Sequence, residues 1–251
     1  MNNLQISVVI PAYNEVKNLN SGVLDPIYDY LKKQDYSYEV LIVDDGSTDN
    51  TVELVEKIIK DKPGFKIVKN PHGGKALTVI SGMLKARGEV VIFTDMDQAT
   101  PINQIEKILP KFKEGFDIVI GSRSGRKGAP LIRKLSAWGF SVVRNLMLGL
   151  PFSDTQCGFK AFRGGSVQPV FSRMLSIWES MKASGAAVNA GFDVEILFLS
   201  KKLGYKIAEV SVDWRHVGTE RVQLARDTIE ALKDILRIRL GSMMGKYGTQ
   251  I

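Results

Sequence analysis

Short apolar runs alternate along this chain with stretches whose apolar positions recur at helical spacing, and that alternation sets the expected elements. Strands are expected over Gln5–Pro11, Glu39–Val43, Phe65–Val68, Glu89–Thr94 and Asp117–Ile120, and helices over Thr51–Lys60, Ala76–Ala86 and Ile102–Phe112. A turn at Ala12-Tyr13-Asn14-Glu15 leads into a helical stretch interrupted near Pro26, a residue suited to a helix first turn. Strand–helix alternation over the first half predicts an α/β fold: an open, mostly parallel, twisted sheet flanked by helices in one Rossmann-like domain. The second half is less regular. A basic, Gly-rich loop at Gly125–Pro130 precedes a helix over Leu131–Leu148, and Asp154–Phe162 is expected as a turn entering a strand. Helices over Val167–Lys182 and Phe192–Leu203, a last strand over Tyr205–Trp214 and a loop at Arg215–Arg221 follow. Residues 1–222 are assigned to the main domain and 223–251 to an amphipathic helical extension.

Three of these strands finish in acids, at Glu15, at Asp44 and Asp45, and at Asp95 and Asp97. In open α/β sheets, ligands bind at that carboxyl edge. If the strand ending at Thr94 stays extended, Asp95 and Asp97 point the same way and make a hard-cation site, completed by substrate phosphates and water. The bland alternatives are a solvated turn at Asp95–Asp97 and helix capping by each acid. Capping is preferred for Asp49, but acids crowding one rim of a basic protein require a cation between them.

With 251 residues, 44% of them hydrophobic, the chain can bury a large core, and its net charge of +7 favours phosphate-bearing partners. One cysteine, Cys157, rules out an intrachain disulfide and fits a reducing compartment. No signal-peptide pattern opens the sequence and no apolar run is long enough to span a bilayer. The expected setting is cytoplasmic, with peripheral contact on the cytoplasmic membrane face. Gly73-Gly74-Lys75-Ala76 lacks the P-loop pattern, and neither a dinucleotide fingerprint nor a Gly-x-Ser-x-Gly elbow is present. An acid-lined sheet edge also disfavours nucleic acid.

Four blocks carry a resemblance to family 2 glycosyltransferases of the GT-A fold, and among them to dolichyl- and polyprenyl-phosphate glycosyltransferases. They are Val8–Glu15; Val43-Asp44-Asp45-Gly46-Ser47-Thr48-Asp49; Asp95-Met96-Asp97 with Ala99-Thr100-Pro101; and Asp154-Thr155-Gln156-Cys157-Gly158-Phe159-Lys160. The fourth is the most specific, and Gly121-Ser122-Arg123 and Phe192-Asp193-Val194-Glu195 are weaker matches. The resemblance implies a nucleoside site at Pro11, Tyr13 and Glu15, with Asp44 or Asp45 on base or ribose. It implies Asp95 and Met96 facing the nucleotide, and Mg²⁺ or Mn²⁺ on Asp97 with Asp95. Lys75 and Arg123 would meet phosphate, Arg221 would replace a lysine of relatives near the diphosphate, and Asp154 would sit beside the reacting acceptor as the catalytic residue, positioning it and taking any residual proton. The implied reaction is inverting transfer of a sugar, glucose first, from a UDP-sugar to a polyprenyl or dolichyl phosphate. A glycan hydroxyl acceptor and an inactive nucleotide-sugar-binding module are the alternatives.

Several residues keep a second reading. Asp154 also suits a turn cap, Lys160 and Arg163 suit strand-edge solubilising charges as well as acceptor-phosphate contacts, and His216 suits loop filling or phosphate contact. Cys157 is expected as a small buried residue. The terminal helix, with Arg226, Lys233, Arg237, Arg239 and Lys246 amid apolar residues, either docks on the core, the commoner fate, or lies on an anionic membrane.

Overall fold

The computed structural model describes residues 5–123, 131–183, 191–215 and 224–248. Its strands are β1 (Ile6–Ala12), β2 (Tyr38–Asp44), β3 (Phe65–Lys69), β4 (Val90–Phe93), β5 (Ile118–Ser122), β6 (Lys160–Arg163) and β7 (Ile207–Ser211). They form one sheet in the order β3-β2-β1-β4-β6-β5-β7. Every pairing is parallel except those of β6, which runs antiparallel to both neighbours, with Ala161 between Ile92 and Val119. β1 is buried along its whole length because helices cover both faces. Val9, Val43 and Phe93 point into one core, and Val8, Ile10, Ile42 and Ile92 into the other.

The helices are α1 (Val16–Asn20), α2 (Leu24–Leu31), α3 (Thr51–Ile59), α4 (Lys75–Lys85), α5 (Ile105–Lys113), α6 (Leu131–Leu148), α7 (Gly164–Ala183), α8 (Phe192–Lys202) and α9 (Leu224–Met243). Pro26 sits in the first turn of α2, where its missing N–H costs no helical bond. Asn50 and not Asp49 is the N-cap of α3, and Asp49, one residue earlier, supports the helix start by accepting the Thr51 amide at 3.0 Å. The last strand is shorter than Tyr205–Trp214, ending at Ser211.

The C-terminal helix docks on the core by one face. Ile235 and Ile238 are fully buried, and Arg237 reaches the fully buried carboxylate of Glu195 on α8 with Nη1 at 3.0 Å and Nη2 at 3.1 Å. Trp178 Nε1 on α7 donates to the same carboxylate at 3.1 Å, and the Tyr247 hydroxyl also donates to it. One carboxylate thus gathers three helices and the segment after α9, with its acceptor oxygens satisfied by four donors.

The reversal of β6 has a positional effect. At the carboxyl edge of a parallel strand the chain has just left that strand, whereas at the same edge of β6 the chain is about to enter it. Residues 154–159 are therefore delivered to the edge at which β1, β2 and β4 end.

Candidate active site

A cleft of about 560 Å³ opens at that edge, lined among others by Pro11, Tyr13, Glu15, Asp45, Lys75 and Asp97. The two acids ending β2 have separate tasks. Asp44 is buried and accepts the amides of Gly46 and Ser47, closing the turn. Gly46 has φ of +70° and a Cβ there would lie 2.8 Å from the His72 amide nitrogen, so the turn requires glycine. Asp45 accepts the amides of Gly73 and Gly74 at 2.8 and 3.0 Å and meets His72 Nδ1 at 3.0 Å, so it holds the loop before α4 against the cleft. Of the pair expected near the base or ribose, only Asp45 lines the cleft; the Asp44 side chain faces its own turn. His72 stacks on the half-exposed ring of Tyr13, centroids 4.6 Å apart. Asn14, at φ 54°, accepts the Thr48 amide at 2.9 Å, joining the two acidic turns.

Asp95 and Asp97 share the cleft, but β4 stops at Phe93 and a turn occupies Met96–Asp97, so the turn and not strand pleating brings them together. Gln98, the next residue, has φ 49°, a sparsely populated conformation of the sort found at ligand sites. Met96 is buried in the core beneath the cleft. Lys75 Nζ lies 2.6 Å from Asp95 Oδ1. Asp97 Oδ1 accepts the Ala99 amide at 3.0 Å, and no cation pairs with Asp97 among the described residues. Burial raises the Glu15 pKa, opposed by the Asn18 amide and reinforced by the charges of Asp97, Asp95 and Asp49. The described residues hold no cluster of three or more metal-type ligands. Two carboxylates without a protein cage, one of them uncompensated, fit Mg²⁺ or Mn²⁺ completed by substrate phosphate and water, and do not fit a structural metal.

At the other end of the edge, Arg123 clamps Asp154: Nε to Oδ2 at 2.6 Å, Nη2 to Oδ1 at 2.8 Å and the Arg123 amide to Oδ2 at 3.0 Å. Glu209 on β7 accepts the amides of Ser153 and Asp154, both at 2.9 Å, fixing the turn. Burial pushes the Asp154 pKa up, but the hydrogen bonds and charge of Arg123 outweigh it and hold it at about 2. The folded pKa lies below the ordinary carboxylate value, so the clamp stabilises the fold above about pH 4 and is lost as pH falls towards 2. Asp154→Asn should therefore cost about 2–3 kcal/mol at neutral pH and almost nothing at pH 2; urea unfolding at both pH values checks this, and an equal loss at both would contradict it.

Lys160 is wholly buried on β6 and bonds the Asp193 carboxylate and the Cys157 carbonyl, the latter at 2.5 Å. Both earlier readings of Lys160 fail, because β6 is an interior strand and the ammonium faces a carboxylate. Arg163, at the strand's end, donates to the carbonyls of Phe112 and Phe116. Cys157 is buried, as expected. A Cβ on Gly158 would lie 2.6 Å from Asp95 Cγ and closer still to Oδ2. Gly158 is therefore the residue through which the 154–160 block abuts the 95–97 turn. Gly158→Ala should displace Asp95 and raise the metal concentration for half-maximal activity at least tenfold; an unchanged metal requirement would show that Asp95 has room to move.

The family model for "Glycosyl transferase family 2" matches residues 7–171. The chain belongs to that family. It is 33% identical to dolichyl-phosphate beta-glucosyltransferase of Dictyostelium discoideum, over 98% of this chain and 77% of the relative, and 31% identical to that of Saccharomyces cerevisiae, over 96% and 76%. Mannosyl-3-phosphoglycerate synthase of Rubrobacter xylanophilus superposes with a TM-score of 0.69 at 16% identity, covering 99% of this chain and 77% of that one. Glucosyl-3-phosphoglycerate synthase of Mycobacterium tuberculosis, solved with Mn²⁺, uridine diphosphate and glucosyl-3-phosphoglycerate, superposes at 0.59 and 20% identity, covering 98% and 81%. The fold is GT-A, and the chain is a glycosyltransferase.

In this family 2 enzyme, Pro11, Tyr13, Glu15, Asp45, Lys75, Asp95, Met96 and Asp97 line one cleft, while Arg123 and Asp154 pair beside it. Arg221, His216 and the Gly125–Pro130 loop lie outside the described residues. Asp193 adds to the site: it is half-buried, fixed by Lys160, and with Asp95 it favours the protonated form of Lys75 against desolvation. Its only sequence signal was the weak block Phe192–Glu195, since helix α8 starts there without a polar cap. His72 carried no motif; its place follows from Asp45.

Proposed function

We propose that this glycosyltransferase transfers a sugar, glucose in the first instance, from a UDP-sugar to the phosphate of a dolichyl or polyprenyl lipid, with inversion and with Mg²⁺ or Mn²⁺. The observation that carries the reading is the seating of the 154–160 block, the segment in which the resemblance to dolichyl-phosphate glycosyltransferases is most specific, against the 95–97 turn through Gly158. Donor chemistry and acceptor chemistry then meet at one sheet edge. Tyr13, His72 and Asp45 surround the nucleoside, and Lys75 faces the diphosphate. A bound dication, held by Asp97 with Asp95, supplies charge neutralisation at the departing diphosphate.

A phosphate monoester is already mostly ionised at neutral pH, its second pKa being about 6, so the acceptor needs orientation more than deprotonation. Asp154 fits that need. A carboxylate held at about 2 is a poor proton acceptor, and the part assigned to it is holding Arg123 towards the acceptor phosphate. A lipid acceptor also brings the enzyme to an anionic membrane face.

The test is a product panel: UDP- and GDP-sugars with Mn²⁺ or Mg²⁺ and either a polyprenyl phosphate or glycan acceptors. Metal-dependent product on the lipid phosphate from UDP-glucose supports the reading. Product only on glycans, or metal-dependent nucleotide binding without turnover, overturns it.

A further inference from the structure

Nine large apolar side chains are exposed among the described residues, and apart from Tyr13 in the cleft all lie on or directly after two helices. Val142 and Leu146 are on α6, Ile229, Leu232, Leu236, Leu240 and Met243 follow one another along α9, and Met244 comes next. The α9 spacing of three and four residues makes a single stripe opposite the face that docks through Ile235, Ile238 and Arg237. Helix α9 is therefore two-sided: it is bound to the core and also leaves an apolar face uncovered. Soluble proteins rarely leave so contiguous a patch without an occupant.

We propose that this α6–α9 ridge is the surface on which the enzyme sits on an anionic phospholipid bilayer. No helix among the described residues is long and apolar enough to cross one, so the contact is interfacial. Charge favours lipid over a second copy of the chain. Arg239 and Lys246 are exposed beside the stripe and neither forms a direct ion pair among the described residues, although Lys246 also feels the charge of Glu195, in a chain of net charge +7. A two-fold pairing would bring this patch against itself and set the same cations near one another, whereas anionic headgroups attract them.

Both helices also connect to the acceptor end. Arg144 on α6 donates to Thr155 Oγ1 at 3.1 Å and to the Phe152 carbonyl, bracketing Asp154. Arg237 on α9 holds Glu195, two residues beyond Asp193. A bilayer bound to the ridge is thus linked through the buried Arg144 and the partly buried Arg237 to the segments bearing the acceptor-side carboxylates. This assignment rests on the lipid-phosphate reading for its purpose.

The experiment uses the full chain in vesicle flotation, with phosphatidylcholine alone and with added phosphatidylglycerol, at low and high salt. The parent should bind the anionic vesicles, less so as salt rises. Leu236→Ser/Leu240→Ser/Met243→Ser should weaken binding at least tenfold, and Arg239→Glu/Lys246→Glu should abolish the phosphatidylglycerol preference. All these side chains are exposed, and unchanged thermal unfolding confirms that the variants fold. Parental binding by the triple-serine variant overturns the proposal, as does a parent that ignores vesicles while forming a dimer that the serines dissociate. Turnover on a short, water-soluble prenyl phosphate is measured alongside. Turnover without vesicle binding sinks the ridge alone, and vesicle binding without turnover sinks the acceptor reading alone.

Discussion

Asp97→Asn is expected to lower kcat/KM by about 10²- to 10³-fold, the scale of losing one preorganised electrostatic partner at a reacting centre, or about 3–4 kcal/mol. The asparagine keeps an oxygen for the Ala99 amide, so the turn is retained and the change is one of charge. Asp95 cannot compensate unaided, because its Oδ1 already faces Lys75 at 2.6 Å. Removing the Asp97 charge also removes part of the repulsion that raises Glu15, so Glu15 should ionise at lower pH in the variant. Steady-state kinetics across a Mn²⁺ titration provide the readout. Parental kcat/KM at saturating metal would rule out Asp97 as the site's metal carboxylate.

Arg237→Met is expected to cost about 3–5 kcal/mol of stability, the usual penalty for stranding one member of a buried ion pair. Glu195 has no exposed surface, and after the change Trp178 and Tyr247 would remain as its hydrogen-bond donors, with the Lys246 charge nearby but not bonded to it. For a chain of this size the loss corresponds to a fall in Tm of roughly 6–20 °C. Calorimetry of the variant beside Glu195→Leu/Arg237→Met isolates the cause, because the double variant removes the stranded charge and should regain part of the loss. A Tm within a degree or two of the parent would show that water reaches Glu195.

The parallel half of the fold was legible because β1, β2 and β4 are covered on both faces and so appear as unbroken apolar runs ended by acids. The acceptor half was less so. β6 is four residues long and includes a lysine, a residue type normally kept out of sheet interiors, whose partner Asp193 lies 33 residues away. Nothing local announces that pairing. The separate tasks of Asp44 and Asp45 were equally hidden: adjacent acids look alike in sequence, and only the positive φ at Gly46 and the course of the 72–74 loop distinguish them. The terminal helix was weighed as either docked or lipid-bound because its two apolar faces merge in a one-dimensional pattern. The buried Glu195 carboxylate separates them.

The ion pairs Lys75–Asp95 and Arg123–Asp154 bear on the company this protein keeps. A chain with a surplus of seven positive charges draws every polyanion in its surroundings, and free cations in a cleft would be fouled by inorganic phosphate and RNA. Here each of these two cations rests against its own carboxylate. On the proposed reading a stray phosphate would have to displace a carboxylate already in place, whereas a diphosphate that brought a dication would offer that carboxylate a new counter-charge. Resting self-neutralisation would then weaken the hold of bare anions before any substrate is recognised.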